Sequence, residues 1–231
     1  MQLLPALAVM AMVAPISATA QDNPVVLELF TSQGCISCPP ADALLAELAQ
    51  DKGVLPLALH VTYWDYLGWR DSFGQEAFTQ RQKAYARTMR RRTLYTPQMI
   101  VEGEDMLVGH DQAAIDRRIA EHRSQPSPVD LSASRSDGRL HLKLGPRGEA
   151  VGPADIELVQ FEPASAVEIE TGENAGQTIT YTNVVTDWQT VGRWDGVTEV
   201  DLDFDGVGAG PMAVIVQSAG LGPILTAAKL D

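Results

Sequence analysis

Lysine and arginine are in short supply: 17 stand against 30 aspartates and glutamates, a formal net charge of −13. Phosphate binding needs clustered cations, so this balance argues against a nucleic-acid partner. Long hydrophobic runs are missing after the first twenty residues, and no later stretch reads as a membrane span. There is no glycine-rich nucleotide loop, no serine triad, no internal repeat and no low-complexity segment. Cysteine is scarcest of the reactive residues. Only Cys35 and Cys38 are present, with two residues between them and two prolines behind.

What is present is an ordinary globular composition, 45% hydrophobic and 20% charged over 231 residues. That length is comfortable for two domains. The acid is uneven: from Val129 onward 16 acids face 6 bases, against 14 and 11 before it. Two units with different surfaces are expected, with boundaries at 22–124 and 129–231 and the linker-like "SQPSPV" between them. Residues 1–20, "MQLLPALAVMAMVAPISATA", are apolar and end in Ala18-Thr19-Ala20. They read as a signal peptide, although no Lys or Arg precedes the apolar stretch. The mature protein is then expected to be soluble, with no membrane span, and periplasmic or secreted.

The apolar run "VVLELFT" at 25–31 reads as a buried strand. Pro39 and Pro40 suit the first turn of a helix carrying Leu44, Leu45 and Leu48 on one face, and Gly53 ends it. A second buried strand, 54–61, closes a βαβ unit whose strands are parallel. An aromatic loop follows, then a polar helix over 75–92, a strand in "YTPQMIVEG", a strand in "MLVG", and a helix capped by Asp111 and ending near Arg123. Beyond the linker, seven or so short alternating strands predict an antiparallel β-sandwich.

A bridge between Cys35 and Cys38 closes a very short loop and restrains the unfolded chain little, so a structural staple is a poor explanation even in an oxidising compartment. A working dithiol, a metal site and an inert bridge stay open on the residues alone, with the dithiol favoured by the pair's place between a strand and a helix. Cys35, nearer the surface, is the nucleophile of that reading and Cys38 the resolving thiol. Pro39 disfavours helical geometry at Cys38, which therefore reads as an N-cap with the pair in the loop above. Glu28 is ionisable in a strand that should be buried. Either it lies beneath Cys38 as a proton acceptor, or it reaches a solvated sheet edge. His60 ends the second strand and completes a Cys-Cys-His set suited to copper or zinc, or is a satisfied core histidine. Tyr63, Trp64, Tyr66 and Trp69 either wall a substrate groove or cover the sheet end. "DLDFDG" at 201–206 has Met212 where a calcium loop needs its acid, so it reads as a half-buried strand with acidic outer positions. Arg90, Arg91 and Arg92 read as a solvated helix end.

The order βαβ, α, ββα with Thr96-Pro97 before the third strand resembles the thioredoxin fold. In that fold the X-Pro bond is cis and faces the cysteines, and the residue before it binds extended substrate; the resemblance carries these roles to Thr96 and Pro97, against a plain trans proline in a turn. Ordinary thioredoxins have Trp before the pair and Gly-Pro within it, where this chain has Gly34 and Ile36-Ser37. The stretches "LELFTSQGCISCPPAD", "HVTYWDYLGWRDSF", "RQKAYA", "YTPQMIVEG", "GENAG" and "YTNVV" together resemble a family of secreted thioredoxin-like proteins catalogued as domain of unknown function 1223. That resemblance implies an α/β thioredoxin-like domain followed by an all-β sandwich-like domain. The expected function is an exported thiol–disulfide oxidoreductase acting on protein or small thiols. It uses Cys35, Cys38 and Glu28 with Thr96, Pro97, Tyr63, Trp64 and Trp69 at the substrate. No cofactor and no resident metal are implied, only a redox partner protein or a thiol substrate. The rivals are a copper or zinc chaperone or sensor built on the pair and His60, and a non-catalytic binding module. The β-rich half is expected to select substrate, dock a partner or dimerise.

Overall fold

The computed structural model describes residues 18, 19 and 21–230. Two short strands open it, β1 (Ala18–Thr19) and β2 (Gln21–Asp22). The expected signal peptide otherwise lies outside the described residues. Strand β3 (Val25–Thr31) follows, then helix α1 (Pro39–Leu48) and strand β4 (Val54–His60). β3 and β4 are parallel and buried at every residue, which is why both read as unbroken apolar runs. Two prolines begin α1, where a missing N–H breaks no intrahelical bond. Helix α2 (Glu76–Thr88), strands β5 (Gln98–Val101) and β6 (Asp105–Val108), and helix α3 (Gln112–Arg123) complete the first half. The Asp111 side chain caps α3, accepting from the Ala114 N–H at 3.1 Å. α2 is shorter than expected. It ends at Thr88, and Arg90 turns left-handed at φ 54°, so Arg90, Arg91 and Arg92 lie exposed beyond the helix.

The strands of this half stand in the order β4-β3-β5-β6, with β5 antiparallel to both of its neighbours. Alternation along β3 sends Val25, Leu27 and Leu29 to one face, where they pack on Leu44 and Leu45 of α1 and Ile115 and Ile119 of α3. Val26 and Phe30 point to the other face and pack on Phe78 and Tyr85 of α2. This parity decides where the polar side chains of β3 can go.

The second half is all strand: β7 (Val129–Ser136), β8 (Arg139–Pro146), β9 (Ala154–Glu168), β10 (Thr178–Trp194), β11 (Val200–Asp205), β12 (Met212–Ser218) and β13 (Ile224–Leu230). A four-stranded sheet runs β1-β7-β8-β11. The other strands extend the first sheet to nine, in the order β2-β13-β12-β9-β10-β4-β3-β5-β6. The linker at 124–129 is thus no break in the sheet. β10 joins β4 in parallel, with Val184 opposite Ala58. Beside that join Asn183, at φ 47°, turns its Nδ2 to the Pro56 carbonyl at 2.8 Å. Pro56 has no N–H to offer β10, and the Asn183 side chain pairs its carbonyl in place of a backbone donor. The two sheets face each other across Leu140, Leu142 and Leu144 on one side and Ile156, Val214 and Val216 on the other. β11 follows the alternation read from "DLDFDG": Asp201, Asp203 and Asp205 are exposed while Leu202 and Phe204 pack inward. Among the described residues no helix is long and apolar enough to cross a membrane.

Candidate functional site

The chain leaves β3 at Thr31 and reaches α1 through a tight loop. Gly34 N–H donates to Ser32 Oγ at 3.1 Å, and Cys35 N–H donates to the Ser32 carbonyl at 3.1 Å. Gly34 has little room for a side chain, since a Cβ there would sit 3.2 Å from the Trp64 Cβ. Cys35 and Cys38 form a disulfide with Cα atoms 5.4 Å apart. Cys38 is the N-cap of α1, as expected from Pro39, yet its backbone is helical (φ −80°, ψ −34°) rather than extended. Its carbonyl accepts the Ala41 and Asp42 N–H groups, which holds it in the helix despite the following proline. Both cysteines are buried, Cys35 at 2% exposure and Cys38 at 0%, and the surface of the loop is Ile36, 59% exposed, with Ser37.

The Thr96-Pro97 bond is cis. Thr96 stands against the pair, its hydroxyl donating to Cys35 Sγ at 3.1 Å while Trp64 Nε1 donates to Thr96 Oγ1 at 2.7 Å. Ser37 Oγ donates to the Thr96 carbonyl at 3.4 Å and lies 3.5 Å from Cys35 Sγ. Behind the proline, a Cβ on Gly109 would fall 2.8 Å from Pro97 Cβ and 2.9 Å from Leu29 Cδ1, so only glycine fits.

The aromatic loop after β4 divides. Trp64 and Tyr66 stack at 6.4 Å and 19°, Tyr66 is 76% exposed, and with Ile36 they make an apolar surface around the disulfide. Tyr63 packs on the core with its hydroxyl buried, and Trp69 turns its Nε1 to Gln33 Oε1 at 2.8 Å. Of the four expected groove residues, Tyr66 alone is exposed; Tyr63 and Trp64 are half-buried against the core, and Trp69 ties the loop to Gln33.

Beneath the pair lies a buried polar layer. Asp42 follows Cys38 by one helical turn, is 3% exposed, and accepts the Thr31 hydroxyl at 2.8 Å on Oδ1. Asp71 accepts the Gln33 N–H at 2.8 Å on Oδ2, and His60 Nδ1 meets the same oxygen at 2.7 Å. The Tyr181 ring of β10 stands edge-on to His60 at 4.8 Å. Burial pushes the Asp42 carboxyl up to about 7, against the opposing pull of His60 and the Thr31 bond. Burial also raises Asp71, but His60 and the Gln33 and Phe73 N–H groups outweigh it and leave the carboxyl below its ordinary value. The β9–β10 hairpin closes the layer from above: Asn174, buried, donates from Nδ2 to the carbonyls of Gln33 at 2.9 Å and Cys35 at 3.0 Å.

Two expectations need correction here. Glu28 lies neither beneath Cys38 nor at a solvated edge. It sits on the α2 face of β3, opposite α1, 1% exposed, and takes Arg81 at both oxygens, 2.6 and 2.9 Å, with Tyr85 OH at 2.5 Å. His60 does not stand with the cysteines as a metal set: its Nδ1 is engaged by Asp71 and the two sulfurs are bonded to each other. Among the described residues no group of three or more His, Cys, Asp or Glu is placed to hold a metal ion. Asp42, Asp71, Asn174 and Tyr181 are site residues that sequence reasoning passed over. For Asp42 a signal existed, a carboxylate four residues after Cys38 on the same helical face.

The chain matches, over residues 26–217, the family described as a protein of unknown function, DUF1223, and it belongs to that family. It is similar to the crystal structure of protein AGR_C_4864 from Agrobacterium tumefaciens, at 35% identity and a TM-score of 0.78, over 91% of this chain and 96% of that one. It is also similar to HBP35 of Porphyromonas gingivalis, at 15% identity and a TM-score of 0.61, over 90% of this chain and 74% of that one; this second likeness concerns the fold alone. No curated protein matches it.

Proposed function

We propose that this member of a family of unknown function is an exported thiol–disulfide oxidoreductase of thioredoxin-like architecture. The observation that carries the reading is the contact of Cys35 Sγ with the Thr96 hydroxyl at 3.1 Å, at a disulfide set on the N-cap of α1. In the reduced state that hydroxyl and the start of the helix favour a thiolate at Cys35. The order β4-β3-β5-β6, with α1 and α3 on one face and α2 on the other, supports the thioredoxin-like reading of the first half. A disulfide persists in an oxidising space, which agrees with export to the periplasm or beyond.

Exchange then follows a two-thiol course. The Cys35 thiolate attacks one sulfur of a substrate disulfide, a Cys35–substrate bond forms, and the second substrate sulfur leaves as a thiolate that takes up a proton. Cys38 loses its proton and attacks Cys35 Sγ. The Cys35–substrate bond breaks, the protein disulfide forms, and the substrate is released reduced by two electrons. Run backwards, the same steps oxidise a substrate dithiol. Ile36, Trp64 and Tyr66 offer the apolar surface on which a peptide or partner protein docks beside the sulfurs.

The reduction potential of the pair, from equilibration in defined thiol buffers and trapping of free thiols, tests this. A value of roughly −120 to −270 mV is expected. A value below about −300 mV marks an inert bridge and overturns the reading.

A further inference from the structure

Three buried polar atoms between α1, β4 and β10 have no hydrogen-bond partner among the described residues: Asp42 Oδ2, His60 Nε2 and Tyr181 OH. Unpaired polar atoms are rare in protein interiors, and three in one place call for an explanation. They belong to one electrostatic neighbourhood. His60 acts on the Asp42 carboxyl, and Asp42 in turn acts on Tyr181. His60 is held from behind by Asp71 at 2.7 Å, so its free ring nitrogen is the only one left to exchange a proton. Helical Cα–Cβ bonds lean toward the helix N-terminus, which lays the Asp42 side chain back over Cys38, one turn before it.

We propose that Asp42 takes the proton that Cys38 must lose to close the disulfide and returns it when the disulfide opens, with His60, held by Asp71, as a positioning residue that acts on the Asp42 carboxyl through its charge. This rests on the oxidoreductase reading above. In the resolving step the Cys38 thiol gives its proton to the Asp42 carboxylate. The freed electron pair on sulfur attacks Cys35 Sγ, and the Cys35–substrate bond breaks with its pair on the substrate sulfur. In the reverse direction protonated Asp42 returns the proton to the departing Cys38 thiolate. The groups acting on the Asp42 carboxyl are Thr31 from β3, His60 from β4, Asp71 from the following loop and Tyr181 from β10, and the Asp42 N–H donates to the Cys38 carbonyl one turn before it. Only His60 among them can bring a positive charge. A buried carboxyl titrating at about 7 is suited to both directions of transfer.

The test uses the full chain and oxidised glutathione as substrate, following release of glutathione from the Cys35 mixed disulfide in single turnover across pH. Wild type is expected to show a bend near pH 7. Asp42→Asn is expected to abolish the bend and slow release by about 100-fold at neutral pH. His60→Gln, which removes the charge that holds Asp42 down, moves the bend to higher pH. Alkylation of Cys35 in a Cys38→Ser background should be unmoved by Asp42→Asn, which a general loss of structure would not produce. Wild type that exchanges with no bend between about pH 6 and 8, or an Asp42→Asn protein that releases glutathione at the wild-type rate and pH profile, overturns the relay and leaves the oxidoreductase reading standing. Wild type that forms no mixed disulfide overturns both. The wild-type profile alone decides the matter should either variant fail to fold.

Discussion

Glu28 at 1% exposure and Asp42 at 3% are both buried carboxylates of the first half of the chain, and they are opposites. Glu28 lies on the α2 face with every need met: Arg81 grips both oxygens, Tyr85 donates to one, and Gln217 from β12 ties Arg81 and Tyr85 together at 3.1 and 2.9 Å. The Arg81 guanidinium also lies 3.9 Å from the Trp188 ring of β10. Asp42 lies on the α1 face with one oxygen bonded to Thr31 and the other to nothing described. A satisfied buried ion pair holds structure in place, whereas a half-satisfied carboxyl beside a disulfide is poised to change its protonation. The first joins the two halves of the chain. The second lies one helical turn from the disulfide.

The largest effect is expected where the satisfied pair is broken. Arg81→Met leaves Glu28 buried against Tyr85 alone, and removing one partner of a buried pair costs about 3–5 kcal/mol. Urea unfolding at neutral pH measures it. The double replacement Glu28→Gln with Arg81→Met is expected to recover most of that loss, because no uncompensated charge remains. A cost below about 1 kcal/mol for Arg81→Met alone would place the pair among weak surface bridges and break the contrast.

Asp42 predicts an effect of similar size but opposite sense. Its carboxyl binds a proton more tightly folded, at about 7, than unfolded, at 3.8. The folded state therefore holds more protons across that window, and the stability this contributes is present in full below about pH 4 and lost as pH rises through 7. Asp42→Asn has no such loss. Relative to wild type, the oxidised variant gains stability as pH rises, by on the order of 4 kcal/mol across the window. Urea unfolding at a series of pH values, wild type beside variant, shows it as a widening gap. Parallel curves would mean that water already reaches Asp42.

These two roles were legible to different depths. The strands at 25–31 and 54–60 announced themselves because strands buried on both faces are apolar throughout. The ionisable residue in the first of them is equally visible, and its face follows from the strand's parity. Strand alternation puts Glu28 with Val26 and Phe30, away from the helix that begins at Cys38, so it is turned from the sulfurs. Asp42 hid in plain view, since a carboxylate near the start of a helix reads first as a partner for the dipole. Its burial is a tertiary fact, imposed by His60 and by Tyr181 from 139 residues later in the chain. The continuity of the nine-stranded sheet was hidden for the same reason. Alternation shows that a segment is a strand without showing its neighbour, and the parallel join of β10 to β4 rests on the single opposition of Val184 and Ala58 with one amide at Pro56. The blocks "RQKAYA", "GENAG" and "YTNVV" carried Arg81, Tyr85, Asn174, Tyr181 and Asn183 without revealing that each reaches across the chain.

Asn174 offers the finest test of the contrast, because it touches one face only. Its amide satisfies the buried carbonyls of Gln33 and Cys35, and Gly172 at φ 82° brings the same loop to within 3.1 Å of the Trp69 Cβ for any added methyl. Asn174→Ala leaves the Gln33 carbonyl unpaired and the Cys35 carbonyl with the Cys38 N–H alone, and is expected to cost about 1–3 kcal/mol. Loosening the hairpin also admits water above Asp42, which lowers its carboxyl toward the ordinary range and flattens the decline of stability with pH. The cost of the substitution is therefore greater at about pH 5, where wild type still holds the extra proton, than at about pH 8. The Glu28 pair lies across the sheet and keeps its energetics, so adding Asn174→Ala to Arg81→Met should change the cost of the latter by less than about 0.5 kcal/mol. Coupling larger than that would mean the two faces answer to one another through the strand between them.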